Sequence, residues 1–519
     1  MEPFLNSLVY LFSPLPMTLV FIGVVLGIVV GSIPGLTTTM LITLTLPLTF
    51  FMESVNAITL LVGMYVGGIS GSQIAATLLR MPGTPASIMT TFDGYPMSQQ
   101  GKSERALGLG ITSSFIGGII SFLFLAILSP PLAKLALTFG PWEYFTMVLM
   151  ALVMLASLSQ GSLLKGLIAA CLGMMVHLPG VDPSIGQMRL TFGVEALESG
   201  LNLMPVLIGA FAVSQIFKDI INIDARPPKV SVGRKGMLLN LADLRKYSVN
   251  FIRSSIIGTW VGILPGIGAN IAAMLSYSTA KSSSKEPEKF GTGHEPGVIA
   301  AETANNASIG GALIPLITMG IPGSVVDAIL IGALIIHNLE PGPLLFTTNP
   351  EIAYGVISAY LIGNIIMFFV MMFAVVHIAK VLYVPRAFLL AAILLFCIIG
   401  VFAVSNSFFD VWIMLLFGIV GFIMERTKMP LGPFVIGFVL SPIAEQQLRS
   451  GLMSTDGSIE PLFTRPFAAT FLAISVISLL WPLYIDWRQR RKEKEAELQV
   501  DDGASGTREA GNEVRNQEQ

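Results

Sequence analysis

Four Pro-Gly pairs mark the chemistry this sequence can do. Pro34-Gly35 is followed by Thr37, Thr38 and Thr39, and Pro82-Gly83 by Thr84 and Ser87. Pro265-Gly266 is followed by Gly268 and Asn270, and Pro322-Gly323 by Ser324. Proline removes a backbone donor and glycine enters conformations that side chains avoid, so each pair breaks a helix. The residues after each break offer hydroxyl, amide and backbone N–H donors without fixed charge. Where a half-helix restarts, its free N–H groups and positive dipole end suit a carboxylate. Donors of this kind can hold an anion and still release it.

Other candidates stand close to these breaks. Asn305, Asn306 and Ser308 precede Pro322 and extend the set of substrate-binding candidates. Between Phe290 and Ala379 there is no Lys or Arg, but there are Glu295, Glu302, Asp327, Glu340 and Glu351. Asp327 lies four residues after Gly323 in an apolar segment, and an intramembrane acid is a functional candidate by default. It is expected to hold a coupling cation or proton, against the alternative of a structural partner role; Glu302 is the second coupling candidate. Arg80 is expected to clamp a substrate carboxylate in bidentate fashion, or else to snorkel at an interface. The alternative for the Ser and Thr residues is that they bond their own helix carbonyls.

The breaks recur in a pattern. Gly27-x-x-x-Gly31-x-x-Pro34-Gly35 returns as Gly258-x-x-x-Gly262-x-x-Pro265-Gly266, every position shifted by 231. Gly71 and Pro82-Gly83 return as Gly311 and Pro322-Gly323 at a shift of 240. One Gly-x-x-x-Gly usually means close helix packing. Two copies, each joined to a Pro-Gly break and each followed by a second one, indicate a duplicated half-molecule. Paired broken helices in two repeats point to a transporter's midplane binding site, and an inverted relation between the repeats is expected.

The elements that must position these residues lie in a membrane. Hydrophobic residues make up 53% of the 519-residue chain and charged residues only 12%, about half the charged share of a soluble domain. From Met1 to Leu79 the only charges are Glu2 and Glu53. A charge at mid-span costs roughly 2.5–3.5 kcal/mol on insertion scales, so such stretches are what a spanning segment requires. The fold expected is an all-α polytopic membrane protein with about 10–14 transmembrane segments of about 20 residues each. Some of these are broken or re-entrant, and two homologous repeats make up the whole.

Residues 1–222 form the first repeat, 223–250 a cytoplasmic linker, 251–486 the second repeat with additional spans, and 487–519 a disordered cytoplasmic tail. Basic residues in the linker (Arg226, Lys229, Arg234, Lys235, Arg245, Lys246) and at the head of the tail (Arg488, Arg490, Arg491) put both inside. The N-terminus has no basic region before its first long apolar run, which reads as a retained span. Cys171 and Cys397 sit in apolar segments and make no disulfide framework. The four histidines are too scattered to hold a metal.

Along GIVVGSIPGLTTTM (27–40), RMPGTPASIMTTFDGYPMSQQGKSERALG (80–108), FGPWEY (139–144), GTWVGILPGIGANIA (258–272) and LEPGPLLF (339–346), the sequence resembles the large membrane subunit of the tripartite tricarboxylate transporter family. The likeness runs from about residue 20 to about residue 480. It implies a transport pathway for citrate-like carboxylates in the bacterial inner membrane, driven by a cation gradient (Na⁺ or H⁺) and using no cofactor. It also implies two partners, a small membrane subunit and a periplasmic solute-binding protein. The sequence departs from the family at Arg80, where a polar, often uncharged residue stands in the pattern.

Two other readings remain. A self-sufficient ion-coupled carboxylate carrier would share this architecture. A membrane-embedded enzyme needs a catalytic constellation, and there is no HExxH, GxSxG elbow or paired intramembrane Asp. A GxxxxGK[ST] phosphate loop is also missing, and nothing suggests nucleic acid as a partner.

Overall fold

Each of the four Pro-Gly pairs at 34, 82, 265 and 322 separates two helices. In the computed structural model, which describes residues 2–158, 162–182, 185–221, 233, 236–266, 268–380, 386–482, 484 and 488, α1 (Glu2–Leu11) leads into α2 (Pro14–Ser32), which stops before Pro34. After the break come α3 (Thr38–Thr49) and α4 (Ser54–Leu79). Past Pro82-Gly83 a short 3₁₀ turn, Pro85–Ser87, starts α5 (Ile88–Gln99), and the long α6 (Ser103–Ala136) follows. The linker residues Arg226, Lys229, Arg234 and Lys235 and the expected tail from 489 onward lie outside the described residues.

Four more helices complete the first half, and the second half then repeats both breaks. α7 (Pro141–Leu158) and α8 (Leu163–His177) come first, then α9 (Leu203–Leu207), which runs through a π turn (Ile208–Val213) into α10 (Ser214–Ile220). Next come α11 (Leu241–Ile263), a break, α12 (Gly268–Ser282), α13 (Glu295–Met319), a break, α14 (Val325–Ile336), α15 (Leu345–Thr348) and α16 (Pro350–Ile378). The chain closes with α17 (Arg386–Ser405), α18 (Phe408–Arg426), α19 (Leu431–Ser454), α20 (Pro461–Thr464) and α21 (Pro466–Pro482). Among the described residues the only strands are β1 (Gly180–Val181) and β2 (Met188–Arg189), an antiparallel pair of two residues each. The fold is all-α.

Small residues set the packing. A Cβ at Gly27 or Gly31 on α2 would overlap the carbonyl oxygens of Met64 and Gly68 on α4. A Cβ at Gly258 or Gly262 on α11 would overlap those of Ala304 and Ser308 on α13. The same backbones meet in the same register in both hairpins, a contact that only glycine permits. A third repeated landmark goes beyond the two that the sequence reading used: Pro205 and Gly209 return as Pro433 and Gly437, both shifted by 228. Gly209 packs against Met414 on α18, while Gly437 packs against Ala170 on α8. Elements of one copy therefore pair with elements of the other, as α6 also does with α13 and α16 with α4.

Among the described residues, seven helices are long and apolar enough to cross a membrane, and five shorter helices are also apolar. The shortfall against about ten to fourteen spans has two causes. The helices that restart after the breaks (α3, α5, α12 and α14) have only 12–15 residues, and α11, α13 and α19 are long but polar. In α13 the polar residues Glu302, Thr303, Asn305 and Asn306 are fully buried, so that helix is wrapped by protein rather than lipid.

Those buried groups form a seam between the copies. Ser70 donates to Asn306 Oδ1 at 2.6 Å, and Asn306 Nδ2 donates to Ser114 at 2.8 Å. Thr90 and Ser114 donate to the Glu302 carboxylate, and Tyr360 donates to the Asn306 carbonyl at 3.1 Å. Where α6, α11 and α13 begin, a second fastening appears. Buried Asp93 on α5 accepts from the backbone N–H groups of Gly291, Gly293 and His294 at 2.8–2.9 Å through Oδ1. Its Oδ2 accepts from the Tyr277 hydroxyl at 2.7 Å. Beside it Arg105 forks onto Asp243 and Glu295 at 2.8–3.1 Å.

Candidate functional site

The helices restarting after the breaks converge on one space. Thr37 caps α3, its Oγ1 accepting from the Met40 N–H at 3.1 Å. Ser324 caps α14, accepting from the Asp327 N–H at 3.4 Å. Thr84 and Ser87 close the 3₁₀ turn reciprocally, with the Thr84 N–H donating to Ser87 Oγ at 3.2 Å. Side-chain caps satisfy some of the first N–H groups of a helix, and the others remain available to a ligand. α12 begins at Gly268, whose φ of +62° side chains rarely adopt.

Between these four starts lies a cavity of about 290 Å³, close to the lower end of the range for small-molecule sites. Of the expected site residues, Thr37, Thr38, Thr39, Thr84, Gly266, Gly268, Asn270 and Ser324 line it. Both copies contribute through both of their breaks. No Lys, Arg or His is among the described residues lining the cavity. Its one acidic lining residue, Glu425, pairs with Lys218 at 3.2 Å. The polar groups facing the space are the starts of α3, α12 and α14, the 3₁₀ turn before α5, hydroxyls, and the side-chain amides of Gln215 and Asn270, and helix starts of this kind favour an anion.

The remaining expected residues build the walls or lie elsewhere. Pro34, Pro82, Pro265 and Pro322 sit in the breaks themselves. Gly35 lies beside the Asp219 carboxylate, and Gly83 packs against Gly31 and Ser72. Gly323 accepts from the Gly266 N–H at 3.0 Å, which ties the two breaks of the second copy together. Ser87 bonds the Thr84 carbonyl at 2.8 Å and Ser308 the Asn305 carbonyl at 2.7 Å, the local bonding that short hydroxyl side chains favour.

Asn305, Asn306 and Ser308 are buried in α13 and do not line the cavity; Asn306 and Glu302 belong to the seam. Asp327 is fully buried one turn into α14, just behind the lining residues Ser324–Val326, and neither carboxylate oxygen has a hydrogen-bond partner. Arg80 lies outside this cavity altogether. It ends α4 with φ 56° and ψ 27°, and that left-handed turn directs its side chain to a separate space beside Tyr95.

Sequence reasoning passed over four polar lining residues: Tyr65, Ser214, Gln215 and Glu425. Tyr65 carried a usable signal, a phenol inside a charge-free segment. Ser214 and Gln215 follow the repeated Pro205–Gly209 landmark.

A profile of the Tripartite tricarboxylate transporter TctA family matches residues 17–436. An uncharacterized 52.8 kDa protein in the TAR-I ttuC' 3' region of Agrobacterium vitis is 35% identical over 480 residues, 92% of this chain and 95% of the relative. An uncharacterized protein in the TAR-II ttuC' 3' region of the same organism is 35% identical over 234 residues, 45% of this chain and 97% of the relative. No solved structure matches. The match extends across both copies of the broken-helix pattern, and the chain belongs to the tripartite tricarboxylate transporter TctA family.

Proposed function

We propose that this chain is the transport-pathway subunit of a binding-protein-dependent secondary transporter that imports di- and tricarboxylates on a cation gradient. The observation that carries the reading is the cavity itself. Helix N-termini from both copies surround a space sized for a small carboxylate, and no Lys, Arg or His is among the described residues that line it. Anion-binding helix ends in two repeats suit alternating access around a fixed site. Membership of a transporter family supports this over an enzyme.

The finer assignments belong to the same reading. A small membrane subunit and a periplasmic binding protein complete the system in the bacterial inner membrane, and the C-terminus lies in the cytoplasm. Residues 1–222 and 251–486 act as inverted repeats joined by the 223–250 linker; equivalent half-helices from both copies start at one cavity, as an in-plane pseudo-two-fold would produce. Asp327, behind the Ser324 cap, is the first choice for the coupling Na⁺ or H⁺, and Glu302 in the seam the second.

The test is uptake of labelled citrate, malate and succinate into cells expressing this chain with the small subunit. The binding protein is supplied or withheld, and the Na⁺ and H⁺ gradients are collapsed in turn. Uptake that needs the binding protein and one gradient supports the proposal. Uptake without the binding protein would instead identify a self-sufficient carrier, and no uptake of any carboxylate would remove the substrate class.

A further inference from the structure

Arg80 sits where the other copy has glycine. Shifted by 240, its counterpart is Gly320, and both residues end their helix in the left-handed conformation, φ 56° for Arg80 and φ 71° for Gly320. Glycine adopts that conformation freely, whereas an arginine is strained in it. The first copy therefore keeps an arginine where the backbone favours glycine. A strained residue that persists is a reason to look for function in its side chain.

That side chain enters a second cavity, of about 470 Å³, walled by Phe92, Tyr95 and Gln99 of α5, by Gln100, and by Gly291 of the other copy. The guanidinium carbon stands 5.8 Å from the centre of the Tyr95 ring. No Asp or Glu is among the described residues lining this cavity, and Arg80 makes none of the ion pairs found among the described residues. A guanidinium held on an aromatic face, with side-chain amides nearby, matches a carboxylate in fork geometry.

The two cavities share one segment. From Arg80 the chain climbs back along α4 until Thr84 Oγ1 is 3.3 Å from Ser72 Oγ. Arg80 thus lines the second cavity and Thr84 the central one. The second cavity lies toward the end where α6, α11 and α13 begin, since Gln100 donates to the Thr292 carbonyl at 2.8 Å. The basic linker enters the fold at that end, which marks it as cytoplasmic.

We propose that the Arg80 cavity is a second carboxylate subsite on the cytoplasmic flank of the central one, which takes the substrate as it leaves. This rests on the carboxylate-transport reading above.

The test is thiol modification of the full-length chain in a background with Cys171 and Cys397 replaced by serine. Gln99→Cys reports on the second cavity and Asn270→Cys on the central one, each modified with a methanethiosulfonate reagent in citrate, malate, succinate or, at equal ionic strength, sulfate. A carboxylate is expected to slow modification several-fold at both positions. Adding Arg80→Gly should abolish protection at Gln99→Cys, leave it at Asn270→Cys, and relax the backbone so that loss of folding cannot explain the result. Protection at Asn270→Cys alone overturns the second subsite and spares the transport reading. Equal protection by sulfate at Gln99→Cys overturns its assignment to carboxylates. Protection at neither position removes both proposals together.

Discussion

The Tyr65 hydroxyl on α4 stands 3.0 Å from the Ser324 Oγ that caps α14. One belongs to the first copy and the other to the second, and both line the central cavity. The phenol therefore helps to fix where a half-helix of the opposite copy begins. Tyr65→Phe keeps the ring and removes the bond. Because one hydrogen bond is worth about 0.5–1.5 kcal/mol net, the apparent KM for carboxylate uptake should rise by about two- to twelvefold. An unchanged KM would separate Tyr65 from substrate placement.

Gly266 has φ +77°, and a Cβ there would run into Leu155. Gly266→Leu should insert normally and lose uptake, judged by membrane protein level against transport rate. Gly268 has φ +62° but open space, with Ser324 Cβ at 3.8 Å its nearest neighbour. Gly268→Ala should therefore cost only the backbone strain, about 1–2 kcal/mol, and keep part of the activity. Equal uptake by both variants would count against a tight break at Gly266.

Asp93→Asn removes the anion that gathers three backbone N–H groups and the Tyr277 hydroxyl. Hydrogen bonds to a charged group contribute about 1.5–3 kcal/mol. The variant should exchange the Gly291, Gly293 and His294 amides markedly faster, with the seam around Asn306 unaffected. Uniform acceleration across the protein would mean that Asp93 supports global stability instead.

Asp243, in the polar first turn of α11, is held below its ordinary pKa by its hydrogen bonds to the Arg105 guanidinium. Its folded pKa is depressed, so this link stabilises the protein above the ordinary carboxylate pKa and is lost as pH falls through the lower, folded value. Thermal stability should decline on acidification toward and below the ordinary Asp range, and Arg105→Gln should flatten that decline. Parallel curves for the two proteins would exclude the pair as its source.

The breaks were legible in the sequence because proline and glycine act on the backbone whatever surrounds them. The repeated shift told which breaks correspond. What could not be read was the direction each polar residue faces. Asn270 and Asn306 are the same residue type on helices that flank the same kind of break, yet one lines the cavity and the other lies in the seam. A helix buried on every side, as α13 is, has no polar stripe to distinguish its faces. Arg80 faces a separate cavity for a different reason: its direction follows from one left-handed residue, a detail that residue type does not reveal.

Asp93 has no counterpart in the second copy, where the equivalent position is Ala333. The half-helix α5 is fastened to the opposite copy by a carboxylate, and α14 lacks that fastening. The two copies are held unequally, so substitutions at equivalent positions 93 and 333 should differ in what they cost, even in a molecule built from one motif used twice.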